Sequence, residues 1–202
     1  MRLENIIRNA GVIEVRGNLG LGITDICNDS RKVTSGAMFI AVKGHDSDGH
    51  DYIGKAIASG AAVYEDEEAL DKAVSEYPGE ATRGLTFVKV KDSRHAVAMM
   101  AADFFDNPSR KLTLVGITGT NGKTTTVTLL YHLFMAQGYN CGLLSTIANY
   151  VGTRRLETAN TTADPITINR LMSEMVDTGC EFCFMEVSSI GVEQERVAGL
   201  EF

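Results

Sequence analysis

Apolar positions in this chain fall into short solid blocks, separated by stretches where they recur every three or four residues. The blocks 38–42 (Met-Phe-Ile-Ala-Val), 61–64 (Ala-Ala-Val-Tyr) and 85–90 (Leu-Thr-Phe-Val-Lys-Val) predict three strands. Between the first two, Ile53, Ala56 and Ile57 share a helical face within 51–59, and Gly60 supplies a stop. Asp92 or Ser93 can cap a further helix that runs to Phe105, where Asn107-Pro108 ends it.

A second series follows. Lys111–Ile117 predicts a strand, a glycine-rich turn comes next, and a helix is expected from Lys123 to Ala136 with Gly138 as its stop. Residues 141–146 predict a strand, 165–177 a helix and 181–187 a strand. Strand, helix, strand, helix, strand at these spacings predicts a parallel sheet with crossover helices. The expected division is a small α/β domain over 1–90 and a parallel-sheet domain over 91–202. Three strands leave the second sheet with exposed edges, so the chain reads as the first part of a longer protein.

Composition narrows the class. With 44% hydrophobic and 22% charged residues among 202, the chain is ordinary globular material. Nineteen basic against 26 acidic residues give a net charge of −7, which argues against nucleic acid or a membrane surface as partner. No apolar run reaches the roughly 18 residues of a membrane span, and Glu4 with no long apolar core after it leads us to expect no signal peptide, so a cytoplasmic protein is expected. Cys180 and Cys183 form a C-x-x-C, but no second pair or His pair completes a zinc site. With Cys27 and Cys141 they are expected to be core thiols.

The sharpest chemical signal is Gly116-Ile-Thr-Gly119-Thr120-Asn121-Gly122-Lys123-Thr124-Thr125. It follows an apolar strand and opens a helix, the context of a phosphate-binding loop. Glycines let backbone N–H groups converge on phosphate oxygens, and the helix N-terminus adds positive potential. Lys123 can reach the β- and γ-phosphates, and the Thr124 hydroxyl can ligate Mg²⁺. The spacing is a variant, because Ile117 stands where the common loop has its first glycine.

Three further stretches invite chemistry. Asn28-Asp-Ser30-Arg31 and the polar loop Gly44-His45-Asp46-Ser47-Asp-Gly49-His50 suit ligand contacts. An EF-hand fails there, because Ile57 occupies the twelfth position from Asp46. Asn160-Thr161-Thr162-Ala-Asp164-Pro165 opens a helix, so Thr162 or Asp164 can equally be its cap. Glu186 ends an apolar strand on the sheet edge where ligands sit in open α/β sheets, and a carboxylate there can hold Mg²⁺. Ser188, Gln194 and Arg196 follow it, and Arg196 suits a carboxylate or phosphate.

The loop G-x-x-G-T-N-G-K-T-T resembles the ATP loop of the Mur ligases, the amide-forming enzymes of peptidoglycan precursor assembly. The N-terminal stretch is similar to the uridine-nucleotide-binding domain of the member that adds the third amino acid. The resemblance runs from about residue 20 to 202 with its motifs in order. It implies a small uridine-nucleotide-binding α/β domain followed by the first part of a P-loop ATP-binding domain. It implies ATP and Mg²⁺ as cofactors, with Gly119, Thr120, Asn121, Gly122, Lys123, Thr124 and Thr125 on ATP, and Thr124 and Glu186 on the metal. It implies UDP-N-acetylmuramoyl-dipeptide as substrate, touched by Asn28, Ser30, His45, Asp46 and Ser47, and by Asn160, Thr161, Thr162, Ser188, Gln194 and Arg196. Lys123 and Glu186 would carry the catalytic load. A third amino acid, diaminopimelate or lysine, would be joined through an acyl phosphate. The 202 residues alone are expected to be inactive, because the remaining ATP-domain residues and the C-terminal domain lie elsewhere. One departure stands out: Ile190 occupies a position where the family usually has His. The alternatives are a folylpolyglutamate-synthetase-like ligase, which lacks the N-terminal Asp-Ser-Arg domain, and a non-catalytic nucleotide-binding homologue.

Overall fold

Period-two alternation organises both sheets of the protein. The computed structural model describes residues 1–43, 48–56, 60–76, 84–158 and 160–202, and divides into two units, Met1–Phe104 and Phe105–Phe202. Unit 1 contains α1 (Leu3–Ile6), β1 (Val12–Arg16), β2 (Asp25–Cys27), β3 (Ala37–Ile40), α2 (Ile53–Ala56), β4 (Ala61–Tyr64), α3 (Glu67–Glu76), β5 (Thr86–Val90) and α4 (Ser93–Phe104). Its sheet has the order β1-β5-β4-β3-β2. Strands β2 to β5 are parallel, and β1 joins β5 antiparallel at the edge.

On one face Cys27, Phe39, Ala41, Ala62 and Tyr64 meet Ile53 of α2 and Leu70 of α3. Met38, Ile40 and Val63 lie one residue out of phase, so they face the other way, and they too are fully buried. Both faces of β3 and β4 are therefore covered, which is why these strands read as unbroken apolar runs. The division follows α4, which packs on α1, and lies beyond the position near residue 90 expected from the sequence.

Unit 2 contains β6 (Thr113–Ile117), α5 (Lys123–Ala136), β7 (Cys141–Leu144), β8 (Asn149–Val151), β9 (Arg154–Leu156), α6 (Pro165–Asp177), β10 (Phe182–Glu186) and α7 (Ser189–Glu193). The order is β6-β10-β7-β8-β9, with β6, β10 and β7 parallel and the β8–β9 hairpin antiparallel. Each sheet is thus mixed rather than wholly parallel. Phe184, Leu143 and Cys141 face α5 through Val127 and Tyr131. Cys183, Met185, Leu144 and Leu114 face α6 through Ile168, Met172 and Met175. The result is a helix–sheet–helix sandwich in which truncating Phe184 to Ala would cost about 3–5 kcal/mol. Gly142 lets α6 come close, since a Cβ there would overlap the Met175 side chain.

All four cysteines are free and buried. Burial pushes the Cys141 thiol up to about 11 and the Cys183 thiol further, which makes both inert. Cys180 precedes β10, so strand alternation does not govern it, and it shares a core with Cys183. Among the described residues no helix is long and apolar enough to cross a membrane, and no three His, Cys, Asp or Glu side chains come together as a metal site.

Candidate functional site

The loop between β6 and α5 turns on two glycines. Gly119 has φ 138° and Gly122 has φ 81°, conformations that L side chains rarely adopt. Gly122 is the N-cap of α5 and offers no side-chain acceptor, so the first-turn amides have no cap within the helix. The Lys123 ammonium folds back onto the loop, donating to Gly119 O at 2.6 Å and approaching Thr120 O at 3.5 Å. Thr126 Oγ1 donates to Gly122 O at 2.8 Å and fixes the start of the helix. A cleft of about 340 Å³ opens here, lined by Thr118, Gly119, Thr120, Lys123, Ser188 and Ser189. Asn121 and Thr125 are exposed beside it in sequence.

Glu186, the last residue of β10, is 1% exposed. Its Oε2 accepts from Thr124 Oγ1 at 3.0 Å, and its Oε1 accepts from the Thr146 amide at 2.8 Å. Thr146 Oγ1 lies 3.2 Å from Oε2. No ion pair to this carboxylate exists among the described residues, and a buried charge without a counter-charge is costly. The donor set suits a hard cation. Thr124 Oγ1 and Glu186 Oε2 are both oxygen donors and lie 3.0 Å apart, close enough that the two could hold such a cation together.

The remaining residues expected in unit 2 form one network. Asp164 caps α6 through the amides of Ile166 and Thr167, which settles the capping question and leaves Thr162 for another use. Thr162 Oγ1 donates to Glu186 O at 3.1 Å and accepts from the Ser188 amide at 3.0 Å. Ser188 Oγ caps α7 through Gly191 N at 3.1 Å. Arg196 donates to Thr162 O at 2.6 Å and, through Nε and Nη2, to Gln194 Oε1. Thr161 is half-buried with its hydroxyl 3.1 Å from that of Thr146, and Asn160 is exposed. Ile190 is 57% exposed on α7, so it takes no part in the core.

In unit 1, Asn28 and Ser30 follow the C-terminal end of β2, the first exposed and the second half-buried. Asp29 between them accepts from the Arg31 amide and starts the tight turn Ser30–Lys32. His45, Asp46 and Ser47 lie outside the described residues. Sequence reasoning missed Thr146. The available signal was a polar residue just past the C-terminal end of a strand that pairs with β10.

Unit 2 therefore has the architecture of the phosphate-loop class of α/β domains, a parallel strand joined to a helix by a glycine-rich loop. The pattern of the Mur ligase family catalytic domain matches residues 22–105, and that of the Mur ligase middle domain matches residues 117–202. The chain belongs to the Mur ligase family. It is 48% identical over all its 202 residues to a UDP-N-acetylmuramoyl-L-alanyl-D-glutamate–2,6-diaminopimelate ligase of Cytophaga hutchinsonii, and spans 40% of that protein's length. A solved structure of a ligase of the same name superposes with TM-score 0.71 at 24% identity, over 98% of this chain and 38% of that one. A MurF ligase from Thermotoga maritima in complex with ADP gives TM-score 0.51 at 24% identity, over 84% and 33%.

Proposed function

We propose that this chain is the nucleotide- and substrate-binding part of a ligase that joins diaminopimelate to UDP-N-acetylmuramoyl-L-alanyl-D-glutamate with ATP. The observation that carries it is the shared cleft. The phosphate loop with Lys123 and the substrate candidate Ser188 line one cavity, and the buried Glu186 carboxylate lies one hydrogen bond from Thr124. A substrate carboxylate that attacks the γ-phosphate brings two anions together, so the site must supply positive potential on both. The loop amides, the N-terminus of α5 and the Lys123 ammonium supply it from this chain. Thr124 and Glu186 would hold Mg²⁺, which neutralises phosphate charge when bound. No side-chain nucleophile is needed, because the substrate carboxylate forms the acyl phosphate and the amine then displaces phosphate.

Gly119, Thr120, Asn121, Gly122, Thr124 and Thr125 are assigned to ATP beside Lys123. Asn28, Ser30, His45, Asp46 and Ser47 are assigned to the UDP end of the substrate. Asn160, Thr161, Thr162, Ser188, Gln194 and Arg196 are assigned to its muramoyl-peptide end. Diaminopimelate is favoured as the third residue by the name of the 48% identical relative. The test is Lys123→Ala in the full-length protein, read as product formed from ATP, the UDP-muramoyl-dipeptide and diaminopimelate. Turnover is expected to fall roughly 10²–10³-fold, the scale for losing one group that stabilises transition-state charge. Unchanged turnover overturns the assignment, and a wild type that makes no product overturns the function.

A further inference from the structure

Thr146 touches both sides of the site. Its amide donates to Glu186 Oε1 at 2.8 Å, and its hydroxyl lies 3.2 Å from Glu186 Oε2 and 3.1 Å from Thr161 Oγ1. The turn that carries it is pinned by buried groups. Ser145 N donates to Asn149 Oδ1 at 3.1 Å, and Ser145 Oγ donates to Ala148 O at 2.7 Å. Thr146 therefore has a fixed backbone and one free rotor. A hydroxyl has one proton, so it can donate to Glu186 or to Thr161 at any moment, but not to both.

The geometry points to Thr146 as a positioning residue that couples the metal carboxylate to the substrate loop by the direction of this single proton. The inference rests on the reading that Glu186 holds a cation and Thr161 touches the muramoyl-peptide. Without a cation, Glu186 Oε2 is the stronger acceptor because it carries charge, and it takes the Thr146 proton. Were a cation held at this carboxylate, Oε2 would be a poorer acceptor and the proton would turn to Thr161. Thr161 then accepts from Thr146, and its own hydroxyl proton is released toward the substrate. The Thr146 amide keeps Oε1 throughout, so the carboxylate does not rotate. The consequence is thermodynamic: Mg²⁺-nucleotide and UDP-muramoyl-dipeptide each tighten the other's binding, by the same factor.

The test measures that factor in the full-length protein by calorimetry. The dipeptide substrate is titrated with and without Mg²⁺ and a non-hydrolysable ATP analogue, and diaminopimelate is omitted. Wild type is expected to bind about fivefold tighter with the analogue, the worth of one hydrogen bond. Thr146→Val is expected to bring the ratio to about one, and Thr146→Ser to restore it, since only the hydroxyl is needed. A merely structural role would weaken both affinities and leave their ratio unchanged. If Thr146→Val does not fold, Thr161→Val cuts the same bond from its other end and is expected to abolish the ratio as well. A wild type that binds both ligands without coupling overturns the switch alone, as does a hydroxyl-free variant that keeps the ratio. A wild type that binds neither ligand overturns the functional reading with it.

Discussion

Two strand-to-helix junctions, one in each unit, use the same architecture for opposite purposes. In unit 1, β5 leads into α4, and in unit 2, β6 leads into α5. The N-terminus of α4 is answered from within the chain. Asp92 Oδ1 accepts from the amides of Arg94 and His95, and Glu65 Oε2 accepts from the Ser93 amide at 2.6 Å. The N-terminus of α5 begins at Gly122 with no side-chain acceptor. The other long helices side with α4: Asp66 accepts from Glu68 and Ala69 at the start of α3, and Asp164 caps α6. Among the described helices of eight residues or more, α5 alone lacks an acid at its start. A helix N-terminus attracts negative charge wherever it occurs. The proposed ligand site is the one of them from which the sequence withholds its own carboxylate, and the chain does so beside Lys123.

The strongest way to break this comparison is to give α5 what the others have. Gly122→Asp places a carboxylate at the junction, where a new Cβ would meet nothing within 4 Å. Like charge against a phosphate costs several kcal/mol, so ATP affinity is expected to fall by roughly two decades or more. Gly122→Ala is the control, because it imposes the same strain at φ 81° without the charge. Binding of an ATP analogue by calorimetry separates the two. Equal losses for Ala and Asp would show that backbone strain, not the missing acid, is what matters at this junction.

The same contrast shows what the sequence makes legible. Helices 123–136 and 165–177 and strand 61–64 match their expected bounds, because each has a strong apolar period and a distinct start or stop. The glycine-rich turn between β6 and α5 was legible because Gly122, Lys123 and Thr124 are consecutive at the point where a strand gives way to a helix. Glu186 was legible as a strand-end acid, but its burial was not, since that depends on Thr124 and Thr146, distant in sequence. Edge elements escaped. In β1 no residue is fully buried, and β9 contains Arg154-Arg155, so neither shows an apolar alternation. In α3 Leu70 is the buried residue among those described, too thin a stripe to stand out. Long-range hydroxyl networks such as Thr146 with Thr161 leave no local pattern at all.

A smaller effect comes from the reverse exchange. Asp92→Ala removes the acceptor of two first-turn amides of α4, and such caps are worth about 1 kcal/mol. The loss should appear as reduced stability of unit 1 in denaturant unfolding, with ATP affinity unchanged. If nucleotide affinity instead shifts with this substitution, the two junctions are not independent and the contrast between them fails.

The smallest effect lies at the end of β2, where the same principle operates on a single tight turn. Asp29 accepts from both the side chain and the amide of Arg31, and these bonds hold its carboxyl down at about 2, against an ordinary 3.8. The folded value lies below the unfolded one, so the carboxylate stabilises the fold at pH above about 4. That contribution fades as pH falls from about 4 toward 2. Arg31 is largely exposed to solvent, so the pair's effect on global stability is slight. Its local effect is larger, because Ser30 opens the turn that Asp29 caps. Carbon-detected NMR of the Asp29 carboxyl should give a midpoint near 2 that rises when Arg31 is replaced by Ala. A midpoint at the ordinary value in the unmodified protein would show that the turn is not held by this acid. Ser30 would then owe its place to β2 and to the chain beyond it.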